Sequence, residues 1–139
     1  MLSSIHQSSF EDFEQITQFV RQFELDNRDL QRAQFLVAKD VNQKIIGFGR
    51  IRKYNDCDEL CSLGVIEAHR NKGIAKKIVE ALINIATPPI YLVCIIPHYF
   101  EKSGFKIVTE FPTEISHKLN YCTFELIVPE EYVVMRYQK

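Results

Sequence analysis

Apolar residues along this chain change their period several times, and each change marks an element. In "FEDFEQITQFVRQF", Phe10, Phe13, Ile16, Thr17, Val20 and Phe23 recur at helical spacing, which predicts a helix over about 10–24. "DNRDLQ" offers a short second helix. "AQFLVAKD" and "KIIGFGRIRKY" are apolar, β-rich runs joined by "DVNQ", a hairpin signal, and "DELCSLGV" is a third such run. From Ile74 the pattern turns helical again through Ala86. "PPIYLVCIIP" is apolar throughout, as in a strand covered on both faces. "HYFEKSGF" reads as a short helix stopped by Gly104, and "FKIV" and "YVVMRY" are two further strands. "PTEISHKLNYC" between them shows no clear period and is left open between loop and short helix. The predicted order is helix, three antiparallel strands, helix, strand, helix, two strands. This is an α/β sandwich around one mixed sheet.

Length bounds this reading to one domain over 1–139. The chain is 46% apolar and 25% charged, enough to bury a core, and its net charge of −1 gives no global basic field for nucleic acid. The longest apolar run, "IYLVCII", is too short to cross a bilayer, and Met1 to Phe10 lacks the basic start and apolar stretch of a secretory leader. Cys57, Cys61, Cys94 and Cys122 form no metal-ligand spacing, so buried free thiols in a reducing cytoplasm, with no metal, are expected.

One local rule is broken. A helix N-terminus carries partial positive charge and favours acids, yet Arg70, Lys72, Lys76 and Lys77 crowd the start of the helix in "EAHRNKGIAKKIVEALINIA". Strand, short loop, glycine and helix form the layout of an anion site. First-turn amides point outward there, Gly73 lets a ligand approach the backbone, and Ala75 keeps the next position small. Arg70 is suited to hold phosphate oxygens in two-point contacts. The plainer alternative is a solvated basic helix face. Neither GxxxxGK[ST] nor GxGxxG is present, so the site is not of those phosphate-binding types.

"SLGVIEAHRNKGIAKKIVEAL" resembles the acetyl-CoA signature of the GNAT (Gcn5-related) acetyltransferases, whose core [Arg/Gln]-x-x-Gly-x-[Gly/Ala] is met by Arg70, Asn71, Lys72, Gly73, Ile74 and Ala75. "YLVCIIPHYFEKSGF" is similar to the family's next strand and its FYxKxGF-like helix, and "FLVAKDVNQKIIGFGRI" to the preceding hairpin. The likeness is strong over Phe35 to Phe105 and loose elsewhere. It implies a mixed, mostly antiparallel central sheet flanked by helices, with two central strands, "ELCSLGV" and "YLVCIIP", splayed into a cleft. It implies acetyl-CoA as co-substrate and an amine acceptor. The backbone of Leu63, Gly64 and Val65 would pair with the pantetheine arm, amides of Asn71 to Ala75 would cradle the diphosphate, and Lys76 would stand beside it. Many relatives dimerise, so a homodimer stays open; no nucleic-acid or membrane partner is implied.

Acetyl transfer needs a neutral amine, a donor for the oxyanion and a route for the thiolate's proton. Glu59 is the base expected: strand alternation puts Glu59, Cys61, Leu63 and Val65 on one face, and some family members carry a base Glu at this spacing. A carboxylate in an apolar cleft is pushed toward the affinity a base needs. A surface Glu beside Asp56 and Asp58 is the alternative. The Val65 amide is the implied oxyanion donor. Many members place an acid Tyr where this chain has Phe100; Tyr99 is adjacent but about 100° around the helix. It is the acid candidate, with packing as its other role, and His98 is set between lining the cleft and capping. The helix also resembles that of the amino-acid N-acetyltransferases, which makes a small amine or amino acid the first expected acceptor. A non-catalytic acyl-CoA module, a protein or peptide acetyltransferase and a nucleic-acid or protein interaction domain using the basic face remain as alternatives. Turnover on an amine panel and salt-sensitive nucleic-acid binding separate them.

Overall fold

The computed structural model describes residues 1–138. Seven strands and four α-helices alternate along them: β1 (Leu2–Gln7), α1 (Phe10–Gln22), β2 (Phe35–Asp40), β3 (Ile45–Lys53), β4 (Asp58–Val65), α2 (Ile74–Ile85), β5 (Ile90–Cys94), α3 (Pro97–Glu101), β6 (Phe105–Ile107), α4 (Thr113–Glu125) and β7 (Val133–Tyr137). The strands follow the order β1-β2-β3-β4-β5-β7-β6 in one open sheet, mostly antiparallel, with β4 and β5 parallel. Two compact units divide the chain. One comprises Met1–Ile51 with Cys61–Ile85, the other Arg52–Leu60 with Ala86–Lys139.

In the first unit, α1 starts where Ser9 caps it. The Ser9 hydroxyl accepts from the Asp12 amide at 3.1 Å, and the Asp12 carboxylate accepts from the Ser9 amide at 3.0 Å. Asp12 also pairs with Lys39 at 2.9 Å; burial opposes its charge, but these donors prevail and hold its pKa below the usual carboxylate value. The helix buries Ile16 and Val20, with Phe13, Phe19 and Phe23 packed beside them, against Phe35, Val37 and Phe48. Each such side chain, fully buried, contributes about 1.5–3 kcal/mol. The predicted hairpin is present: the Asp40 carboxylate accepts from the amides of Asn42 (2.8 Å) and Lys44 (3.0 Å), closing the β2–β3 turn.

The other face of β3 is flattened for α2. A methyl group on Gly47 would lie 2.8 Å from Ile78 Cδ1, and one on Gly49 would lie 2.7 Å from Leu82 Cδ1. The helix therefore rests on a glycine stripe, and its buried residues Ile74, Ile78, Val79 and Leu82 fix where its N-terminus falls.

In the second unit, α4 covers β5 and β7 with a cluster of Cys57, Tyr91, Ile115 and Val134. The start of β4 is latched by Asp58, whose Oδ2 accepts from the Thr87 amide and the Lys53 ammonium, both at 2.7 Å.

Three expectations are corrected. β1 was absent from the predicted order: "LSSIHQ" has only Leu2 and Ile5 as apolar residues, and an edge strand needs little alternation. "DNRDLQ" forms no helix. The Asp26 carboxylate captures the Arg28 amide and guanidinium instead, Asp29 takes a left-handed φ of 49°, and a single 3-10 turn follows at Arg32–Gln34. "PTEISHKLNYC" belongs to a full helix, α4. Its buried stripe is Ile115, Lys118 and Cys122, and a lysine within the stripe hides the period.

Candidate functional site

The site is built on the connection from β4 to α2. After Val65 the chain makes one 3-10 turn, Glu67–His69, and then passes through two left-handed residues, Asn71 at φ 64° and Gly73 at φ 79°. α2 begins at Ile74, and its Lys77 amide donates to the Gly73 carbonyl at 3.3 Å. The amides before that bond have no intrahelical acceptor, which is the condition for an anion site. Asn71, Lys72, Gly73, Lys76 and Lys77 are exposed, Ala75 is half-buried, and Ile74 is buried in the seat under the helix.

Arg70 has a structural hold on this turn. Its Nε donates to the Val65 carbonyl at 2.9 Å, and its guanidinium lies 5.4 Å from the Phe23 ring centroid. The side chain thus ties the turn back to the end of β4 before any ligand is considered. Leu63, Gly64 and Val65 form that end. A methyl group on Gly64 would lie 2.6 Å from Phe48 Cζ, so glycine is required by packing.

Ser62 interrupts the strand. Its φ is 50°, and its hydroxyl donates to the Asp26 carbonyl at 2.8 Å. Period-two alternation presumes extended backbone at every step. The premise that put Glu59, Cys61, Leu63 and Val65 on one face therefore fails at Ser62.

Glu59 is fully buried, and its surroundings differ from the apolar cleft expected. Oε1 accepts from the Tyr54 hydroxyl at 3.1 Å, and Oε2 lies 2.7 Å from the ammonium of Lys118, itself buried on α4. Cys57 nearby has its thiol pushed up to about 11, by burial first and then by the charges of Glu114, Glu59, Asp58 and Asp56. Tyr54 and Lys118 escaped the sequence reading. Ile115, Leu119 and Cys122 would have placed Lys118 on a buried face had the helix been recognised.

On α3, Tyr99 is half-buried and edge-on to Phe100, with centroids 5.2 Å apart at 87°. Burial raises its phenol above the ordinary value. Phe100 is buried and packs edge-on against Phe105 at 6.2 Å. The His98 side chain is 98% exposed and sits 2.9 Å from Glu101 Oε1, one turn on, so it belongs to the helix surface. No cluster of three or more metal-ligating side chains occurs among the described residues, and the four cysteines are buried and in no disulfide.

The family model described as "Acetyltransferase (GNAT) family" matches residues 1–105. Rv2747 from Mycobacterium tuberculosis, crystallised with CoA and NLQ, superposes with a TM-score of 0.77 at 17% identity, covering 99% of each chain. N-acetylglutamate synthase from Neisseria gonorrhoeae, complexed with coenzyme A and N-acetyl-glutamate, gives 0.71 at 15% identity; the match covers 98% of this chain and 35% of the synthase. Naa50 from Arabidopsis thaliana, with the bisubstrate analogue CoA-Ac-MVNAL, gives 0.69 at 18% identity over 98% of each. No curated protein matches the sequence. At these identities the solved structures speak for the fold.

Proposed function

Since the chain belongs to the GNAT acetyltransferase family, we propose that it moves the acetyl group of acetyl-CoA onto the amine of a small acceptor, a free amino acid first, by direct attack. The observation that carries this reading is the Val65–Ile74 connection. Two left-handed residues and an arginine clasp hold free amides and exposed cations around one helix end.

In this reading the amides of Asn71 to Ala75 take the CoA diphosphate, with Lys72 and Lys76 as flanking charges and Arg70 contributing its remaining donors. The backbone of Leu63 to Val65 pairs with the pantetheine arm, and the Val65 amide receives the oxyanion. The acetyl carbonyl carbon gains its bond to the amine nitrogen and loses its bond to sulfur, and the ammonium proton goes to Glu59 through a water. Tyr99 is the group offered to the departing thiolate; burial raises its phenol above the ordinary value, which makes it a weaker proton donor. Cysteine thiols have a reference pKa of about 8.5, so water also serves as proton source. The Glu59–Lys118 pair supports a second reading of the proton step, in which Glu59 anchors β4 to α4 and the amine enters already neutral.

We place the protein in the reducing cytoplasm, with residues 1–139 acting as one catalytic domain; buried cysteines outside any disulfide support the compartment. The decisive experiment is acetyl-CoA-dependent thiol release over free amino acids, polyamines and peptides. Release with amino acids is expected; release with peptides alone would replace the acceptor class. Glu59→Gln should lower kcat by about 10²–10⁴ with little change in acetyl-CoA affinity if Glu59 is the base. Wild-type turnover in that variant would select the anchoring role.

A further inference from the structure

Arg50 stands outside everything assigned above. It lies on β3, two residues past Phe48 and on the face opposite the glycine stripe that seats α2. This is the face that carries α1, since Phe48 stacks there with Phe19 and Phe23. Arg50 is 0% exposed and is the largest of the fully buried side chains. Its Nη2 donates to the Arg28 carbonyl at 2.8 Å, and its guanidinium lies 5.8 Å from the Phe35 centroid. Nε and Nη1 have no acceptor among the described residues, and Arg50 forms no ion pair there. The Asp26 carboxylate close in sequence to Arg28 is engaged by Arg28 itself.

A guanidinium carries five donors and never gives up its charge. Burying it with one backbone acceptor leaves a cation and most of its donors uncompensated, which native proteins avoid unless the group has another partner. The partner this group fits is a carboxylate. Nη2 keeps a second hydrogen beside either Nε or Nη1, enough for a two-point contact with a planar anion. The segment tied to Arg50 is the loop after α1, which holds Glu24 and Asp29 in left-handed backbone and is pinned by Arg50 at Arg28 and by Ser62 at Asp26. A ligand reaching Arg50 must displace part of what covers it.

We propose that Arg50 binds the carboxylate of the acceptor, so that the enzyme selects free amino acids over amines that lack an α-carboxylate. This rests on the acetyl-transfer reading above and adds the residue that would choose the acceptor class.

The test compares L-amino acids with their amides and with the corresponding decarboxylated amines, reading thiol release from acetyl-CoA. Wild-type kcat/KM should favour the free acids by about tenfold or more, because a site built around a buried charge rejects analogues that leave it unpaired. Arg50→Gln should remove that preference through KM for the acids while leaving the amines unchanged, and Arg50→Lys should fall between. Equal use of acids and amines by the wild type, or an equal loss on every acceptor in Arg50→Gln, would overturn the assignment and leave Arg50 as a loop tether. If Arg50→Gln does not fold, Arg50→Lys decides: a preference for acids undiminished in that variant would overturn the assignment. Turnover of decarboxylated amines only would sink this proposal and spare acetyl transfer. No turnover of any acceptor, with acetyl-CoA still bound, would sink both.

Discussion

Glu59 and Lys118 show what burial does to a charged pair. With both side chains at 5% exposure or less, each charge offsets part of the other's desolvation, and removing the ammonium leaves the Glu59 carboxylate buried without its ion-pair partner. Lys118→Met should cost roughly 3–5 kcal/mol by denaturant titration, and the double variant Glu59→Met/Lys118→Met should recover a large part of it. Additive losses would show that the pair is not coupled. Cys57 supplies a second residue-scale expectation. Its thiol, at about 11 against an ordinary 9.0, holds its proton more tightly in the folded chain. Stability from this source is complete below pH 9 and declines as pH rises from 9 toward about 11. Melting curves over that range should slope less in Cys57→Val than in wild type. At this scale the sequence was legible where local backbone decides the matter, as in the left-handed turn at Gly73. It was not legible for Tyr54, Lys118 and Arg50, whose roles come from partners far along the chain.

Elements follow the same division. α1 and α2 were readable from apolar stripes of helical period, and β2, β3, β4 and β5 from β-rich apolar runs. β1 lacks alternation and α4 carries a lysine in its stripe, so neither announces itself. The seat of α2 makes a sharp prediction. Gly49→Ala drives a methyl to 2.7 Å from Leu82 and should destabilise by about 1–3 kcal/mol, measured by thermal unfolding. Ser9→Ala, which removes the α1 cap, should cost about 1 kcal/mol. Gly73→Glu should behave differently from both. A side chain there meets nothing within 4 Å, and its cost is confined to the left-handed φ, about 1–2 kcal/mol, so the fold should survive with that loss while calorimetry shows acetyl-CoA binding abolished. Unchanged affinity in the folded variant would remove the phosphates from this turn.

At the scale of the whole molecule, the mixed sheet and its flanking helices were anticipated from the order of elements, with seven strands where the sequence suggested six. The four cysteines, all buried, give a global probe of this architecture. The native protein should react slowly with a thiol reagent at pH 8, and the denatured, non-reduced protein should titrate all four. Finding two or fewer would mean disulfides. Acetyl-CoA at a hundred times its Kd should add about 2.7 kcal/mol to unfolding stability.

Chirality offers a way to separate the two demands made on residue 73. A φ of 79° is costly for an L-residue and natural for its mirror image. D-alanine introduced there by semisynthesis should therefore fold at least as well as glycine, because it narrows the unfolded ensemble without opposing the native turn. If the turn needs only its backbone angle, the D-variant should bind acetyl-CoA as glycine does. If the ligand needs the space in which a side chain would sit, the same variant should be stable and empty. One methyl group of the opposite hand thus distinguishes a residue chosen for its conformation from one chosen for its absence of bulk.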